Sequence, residues 1–221
     1  METATGSDST ATDATGRPAR YSEAPRFPDG PIDLRTVVPG DGPLELDVGF
    51  GRGRSLLERA LLAPSSRLVG IEIKRKWAWI VEQRRLAAGL AGCRAFQADA
   101  RDVLPRMVPG GVLARVFVHF PDPWWKKRHA KRALVNDAFL VELARLLAPE
   151  GELFVQTDVA DRAEAICERV EALRIDGRNA FVNVAGPGAR IADNPFGARS
   201  GREVRCEADG IPVHRFLFRR A

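Results

Sequence analysis

Apolar and polar positions alternate along this chain with two different periods, and the change from one period to the other marks out its elements. The runs LELDVG (44–49), RLVGIE (67–72), CRAFQA (93–98), ARVFVHF (114–120) and ELFVQT (152–157) are short and apolar, and they read as strands. Between them, segments 53–63, 74–90, 134–147 and 160–174 carry Leu, Ala, Ile and Val at spacings of three and four, with charges on the opposite face. Those spacings predict helices that bury one stripe. Strands alternating with helices predict a parallel sheet covered on both faces. FVNV (181–184) and VHRFLF (213–218) add two strands with only a long Gly- and Pro-containing loop between them, so the last can pair antiparallel.

Residues 1 to 30 are rich in Thr, Ala, Gly, Ser, Asp and Pro and show neither period. Such a segment buries too little to offset its ordering entropy, so a disordered arm over 1–30 and a single domain over 31–221 are expected. At 221 residues and 45% hydrophobic content the chain suits one α/β domain, and no internal repeat divides it. The 34 Lys and Arg exceed the 29 Asp and Glu by only five, so where the basic residues cluster matters more than their total.

Cys93, Cys167 and Cys206 are too scattered for a disulfide framework or a metal site. His119 and His214 sit on apolar strand patterns and read as structural histidines, and with His129 apart from both, no metal is expected. No stretch approaches the roughly 20 apolar residues that a membrane span needs. A soluble cytoplasmic protein without an obligatory protein partner is the expectation.

The first strand runs into Gly49-Phe50-Gly51-Arg52-Gly53 and then a helix, the place where an α/β sheet receives a nucleotide-like ligand. The third glycine of a dinucleotide fingerprint is missing in both registers, its slot holding Arg54 or Leu56, which disfavours an NAD-dependent oxidoreductase. Three acids stand at strand ends: Asp47 just before the loop, Glu72 about 20 residues beyond it, and Asp99 after the third strand. Glu72 can accept from both ribose hydroxyls, Asp99 from an adenine amino group, and Asp47 can sit near an amine. Together they favour a cationic sulfonium ligand over a pyrophosphate, which they would repel.

The fourth strand ends in Phe120-Pro121-Asp122-Pro123-Trp124-Trp125, and five of the next seven residues, 126–132, are Lys or Arg. Prolines on both sides of Asp122 restrict its backbone. Trp124 or Trp125 offers a face on which an exposed base can stack, and the basic run can meet phosphates. An acid, two indoles and a cationic run at one strand tip point to a nucleic-acid substrate.

The stretch FPDPWWKKRHAKRALV (120–135), with LELDVGFGRG (44–53) and GIEI (70–73), resembles the tRNA (guanine-N7)-methyltransferase family over roughly residues 44 to 220. The resemblance implies a Rossmann-like class I methyltransferase fold: a seven-stranded, mostly parallel sheet with an antiparallel last strand and helices on both faces. It implies methyl transfer from S-adenosylmethionine to N7 of a guanine in the variable loop of tRNA. Asp47, Gly49, Gly51, Gly53, Glu72, Asp99 and Asp122 would then form the cofactor pocket, with Asp122 also the active-site acid. Lys126, Asp158, Ser200 and Glu203 would contact substrate, and Trp124, Arg128, His129, Lys131 and Arg132 would contact RNA.

The chain departs from the family pattern at Asp47, where Glu is usual, and at Ser200, where Thr is usual; Gly201-Arg202 replaces a basic-then-aromatic pair. Guanine N7 carries a lone pair and no proton, so transfer needs alignment and no general base. Asp122, Asp158 or Glu203 are expected to accept from the guanine N1–H and amino group. Two alternatives remain beside this one, an amino-methyltransferase acting on adenine or cytosine and a catalytically idle RNA-binding module.

Overall fold

The structure, a computed structural model, describes residues 21–121 and 134–221. A short lead-in, β1 (Ile32–Asp33) and α1 (Leu34–Val37), precedes β2 (Leu44–Val48), α2 (Arg54–Leu62), β3 (Arg67–Glu72), α3 (Arg75–Ala87) and β4 (Cys93–Gln97). Next come α4 (Ala100–Val103), β5 (Met107–Val108), β6 (Leu113–His119), α5 (Asp137–Leu146), β7 (Leu147–Thr157) and α6 (Ala160–Ala172). A small hairpin of β8 (Arg174–Ile175) and β9 (Arg178–Asn179) leads to β10 (Phe181–Asn183), α7 (Gly201–Ala208) and β11 (His214–Arg220).

The main sheet has seven strands in the order β10-β11-β7-β6-β2-β3-β4. Neighbours from β7 to β4 are parallel, and β11 alone runs against its neighbours on both sides. β2 lies inside the sheet between β6 and β3 and all five of its residues are buried, as expected of a strand covered on both faces. Leu46, Val69, Val116, Leu140, Leu143 and Val170 have no exposed surface and belong to the larger core, while Leu56, Ala60, Ala78 and Val81 pack on the other side against Leu68 and Cys93. Each of the Leu and Val side chains among them contributes about 1.5–3 kcal/mol by leaving water. Even Glu45, buried in β2, is matched: its carboxylate meets Arg59 at 2.7 Å and Arg115 at 2.9 Å.

Two expectations are corrected. Residues 21–30, assigned to a disordered arm, pack on the domain: Phe27 stacks on Phe96 at 4.2 Å, Tyr21 meets the edge of Trp79 at 5.7 Å, and Pro25 O accepts from Gln97 N at 2.7 Å. Tyr21, Ala24 and Phe27 supply a spaced apolar face that the surrounding Pro and Asp residues obscure. Residues 1–20 lie outside the described ones. The segment between the last two strands is not only loop, because α7 interrupts it. Its signal was in the sequence: Ser200-x-x-Glu203 forms a capping box, with Ser200 Oγ accepting from Glu203 N and Glu203 accepting from Ser200 N.

Candidate functional site

At the carboxyl ends of β4, β3, β2 and β6 the sheet opens into a cleft of about 400 Å³. Gly49 and Gly51 line it with φ of 76° and 56°, and a Cβ on either would meet nothing within 4 Å, so a ligand can approach this backbone closely. Gly53 serves the fold instead, since at φ 76° it caps α2, and a Cβ there would lie 2.4 Å from Val81 of α3.

Glu72 reaches across from the tip of β3 and fixes the loop, with Oε2 accepting from Gly51 N at 2.9 Å and Oε1 from Lys74 N at 2.8 Å. Each oxygen keeps a further lone pair toward the cleft that Glu72 lines. Asp99 caps α4 and accepts from the Arg101 side chain and backbone, which holds its carboxyl below the usual range. Ile73, 55% exposed, and Trp77 form an apolar wall beside these acids. Arg52 lies 5.1 Å over the Trp77 ring.

Asp47 stands apart from the other acids. It is buried behind the glycine loop and lines a separate void of about 10 Å³ together with Ser55, His119 and Asn194. Its Oδ2 accepts from Ser55 Oγ at 3.0 Å, and Oδ1 has no partner among the described residues. Burial pushes its carboxyl up to about 7, against the lowering effect of Ser55 and with a further push from the Glu72 charge.

The far wall of the cleft is built from β6 and α7. Phe120 holds φ 49° directly before Pro121, a left-handed conformation that costs a bulky residue about 1–3 kcal/mol. Its N–H donates to Gln156 O at 2.8 Å and so keeps the turn in place. Ser200, Gly201, Arg202 and Arg205 line the same wall. Glu203 and Asp158 do not line it. Both oxygens of the fully buried Glu203 are engaged, by Arg215, Gln156, Asn194 and Ser200 N, and Asp158 is ion-paired with Arg202.

Of the site residues expected from the sequence, Gly49, Gly51, Glu72, Asp99 and Ser200 gather in the cleft, Gly53 and Asp47 support it from behind, and Asp158 and Glu203 lie at its margin in ion pairs. Asp122, Trp124, Lys126, Arg128, His129, Lys131 and Arg132 fall in 122–133, outside the described residues. The sequence reading missed Trp77, Arg205 and, above all, His119, which lines the cleft. A histidine on an apolar strand carries no signal of its own; its place at the last residue of β6, just ahead of the 120–132 motif, is the one available hint.

Among the described residues no three His, Cys, Asp or Glu side chains group as metal ligands would, and no helix is long and apolar enough to cross a membrane. The model of a family described as "Putative methyltransferase" matches residues 41–184. A tRNA (guanine-N(7)-)-methyltransferase of Myxococcus xanthus is 37% identical over 202 residues, 86% of this chain and 95% of that protein. One of the same name from Anaeromyxobacter dehalogenans is 41% identical over 201 residues, 87% of this chain and 96% of that one. Among solved structures, TrmN from Thermus thermophilus superposes with a TM-score of 0.54 at 24% identity, over 81% of this chain and 44% of that one. An rRNA methylase from Streptococcus thermophilus gives 0.53 at 13% identity, over 85% and 91%. At these identities the structural matches establish the Rossmann-like class I methyltransferase fold alone.

Proposed function

The chain belongs to the tRNA (guanine-N(7)-)-methyltransferase family, and we propose from that membership that it methylates N7 of a variable-loop guanine in tRNA, in the cytosol and without a metal. S-adenosylmethionine is the methyl donor, and when bound it supplies an electrophilic methyl on a sulfonium. The observation that carries the reading is the cleft itself: bare glycine backbone at Gly49 and Gly51 beside Glu72 and Asp99 at adjoining strand tips. The fit to the donor is good. Glu72 has lone pairs left for ribose hydroxyls, and Ile73 and Trp77 offer an apolar wall for a purine, while Asp47 backs the glycine loop from its own small void.

In this reading the chain binds and aligns, and moves no proton. Glu72 and Asp99 fix the nucleoside end, Asp47 serves the amino-acid end through the glycine loop it backs, and the β6 and α7 wall receives the base. Carboxylates near the transfer coordinate stabilise positive charge as it passes from sulfur to the methylated purine. Asp122, three positions after the end of β6 in the sequence, serves as the active-site carboxylate, with Lys126, Asp158 and Ser200 toward the substrate. Glu203 serves the substrate through the residues it holds. Trp124, Arg128, His129, Lys131 and Arg132 take the RNA.

The test is to incubate the purified protein with labelled S-adenosylmethionine and unmodified tRNA, then to cleave at 7-methylguanosine, whose cationic ring is chemically labile. Label at one variable-loop scission site is expected. Label recovered on an adenine or cytosine amine would instead make this an amino-methyltransferase.

A further inference from the structure

Three neighbouring strands place His119, Gln156 and Arg215 in one row. His119 of β6 is the register partner of Gln156 of β7, and Gln156 is the partner of Arg215 of β11. Glu203 of α7 closes the row from outside the sheet, its carboxylate accepting from Arg215 Nη2 at 3.0 Å and from Gln156 Nε2 at 2.9 Å. The same Gln156 Nε2 lies 2.8 Å from His119 Nδ1. A carboxylate ion-paired with arginine only accepts, so the Gln156 atom facing it is the amide nitrogen, and that nitrogen can only donate to His119. Nδ1 therefore accepts, and the proton of the neutral ring sits on Nε2. A protonated ring would set an Nδ1–H against an amide N–H. Burial acts the same way and pushes the imidazolium down to about 4.

This tautomer is held firmly. Gln156 and Glu203 have no exposed surface, and the His119 ring lies parallel to Phe117 at 5.9 Å with Phe154 edge-on at 5.8 Å. Nε2 has no protein partner among the described residues, and the residue lines the cleft. Across the sheet the tips run Asp99, Glu72, Gly49, His119, so His119 stands beyond the glycine loop from the two nucleoside acids, beside Ser200, Gly201 and Arg202.

We propose that His119 Nε2–H is a fixed hydrogen-bond donor to O6 of the target guanine. The proposal rests on the reading of the chain as a guanine-N7 methyltransferase and adds how the base is recognised. The edge that carries N7 shows guanine as two acceptors, N7 and O6, and adenine as an acceptor and an amino donor. N7 must stay free to take the methyl group, so discrimination on that edge falls to position 6. A donor there accepts guanine and opposes the adenine amino group. Its neutrality matters as well, because an imidazolium would repel the cationic base that transfer creates. Gln156 is a positioning residue, and Glu203 with Arg215 fixes Gln156.

The experiment uses the full chain and two tRNA transcripts, one with the target guanosine and one with 2,6-diaminopurine riboside in its place, which keeps N7 and turns position 6 into a donor. His119→Phe preserves the ring stack and is expected to lower kcat/KM on guanine about tenfold and, by removing the donor that opposes a 6-amino group, to raise kcat/KM on diaminopurine, so that the preference collapses. His119→Gln, with an amide N–H reaching close to the place of Nε2, is expected to restore part of it. If His119→Phe does not fold, Gln156→Met decides, since it frees the ring and should reduce the same preference. An unchanged guanine-to-diaminopurine ratio in a folded variant overturns the proposal, and would follow if Nε2–H were spent across the small void on Asp47. Wild-type protein inactive on guanine tRNA would instead overturn the family reading, a distinct result. Independently, 15N shifts of the three histidines should show one Nε2–H ring that stays neutral at pH 5; an imidazolium there counts against the proposal.

Discussion

Glu203 and Arg215 form a buried ion pair, 3.0 Å between Oε1 and Nη2, with the carboxylate side chain wholly inaccessible and the guanidinium side chain 11% exposed. The pair joins a helix that lines the cleft to the one reversed strand of the sheet. Glu203 also completes the capping box that starts α7, so one carboxylate sets the helix, the strand contact and the Gln156 amide together. A residue expected from the sequence to touch substrate is thus engaged wholly within the fold, where it ties the α7 wall of the cleft to the sheet.

Removing one member leaves the other charge buried without its partner. Arg215→Met is expected to cost about 3–5 kcal/mol, more than an exposed pair such as Arg169–Asp137, which should cost under about 1 kcal/mol. Urea denaturation of the two variants checks the contrast. Equal losses would mean that Glu203 relaxes toward solvent.

Gly51→Ala and Gly53→Ala separate binding from folding. Both place Cβ on a residue with positive φ, which costs about 1–2 kcal/mol, yet only Gly53 also drives it into Val81 at 2.4 Å. The Gly53 variant should lose the more stability in thermal melts. The Gly51 variant should stay folded and lose donor affinity in calorimetry, because its methyl points into open cleft.

The seven strands were legible because their apolar runs are short and bounded by charged helices, and the glycine loop with Glu72 and Asp99 was legible because those residues recur at strand tips. α5 shows the limit. Its apolar spacing extends back to 134, but Asn136 caps Phe139 N at 3.0 Å and starts the helix at Asp137, which periodicity alone does not reveal. α7 was hidden because its eight residues hold just two buried side chains, Glu203 and Cys206, too few for a stripe. His119 was read as structural because its partner Gln156 is 37 residues away, and only the strand register brings the two together. For Asp47 the residue was visible and its seclusion was not, since burial behind the loop depends on how Ser55 and Phe117 pack around it.

That seclusion has a pH signature. Asp47 keeps its proton to about 7 in the folded chain, against 3.8 as its ordinary value, so between those limits the folded state binds the extra proton. The stability it contributes is full below about 3.8 and is lost as pH rises toward 7. Asp47→Asn removes the titration and can still accept from Ser55. It should exceed the parent in stability by about 1–3 kcal/mol at pH 8, with the gap closing toward pH 4 in thermal melts. If an ammonium group of the donor binds beside Asp47, parent donor affinity should also rise with pH through 7, and the Asn variant should show no such rise.

Arg205 carries the last prediction. Arginines 52, 54, 101, 202 and 205 all line the cleft, but several are already neutralised: Arg54 by Glu58, Arg101 by Asp99 and Arg202 by Asp158. Arg205 is exposed and has no acidic partner among the described residues, so its charge is available to a phosphate. Neutralising one phosphate contact lowers the log–log salt slope of binding to single-stranded RNA by about 0.7. Arg205→Ala should therefore flatten the salt dependence of tRNA affinity by about that amount and leave donor affinity alone. Arg202→Ala should change the slope less, because losing its charge also frees that of Asp158 at the same wall. Filter binding across a salt series compares the two. If Arg205→Ala left the slope untouched while Arg128, Lys131 and Arg132 together accounted for all of it, the RNA would be held by the basic run alone and miss α7.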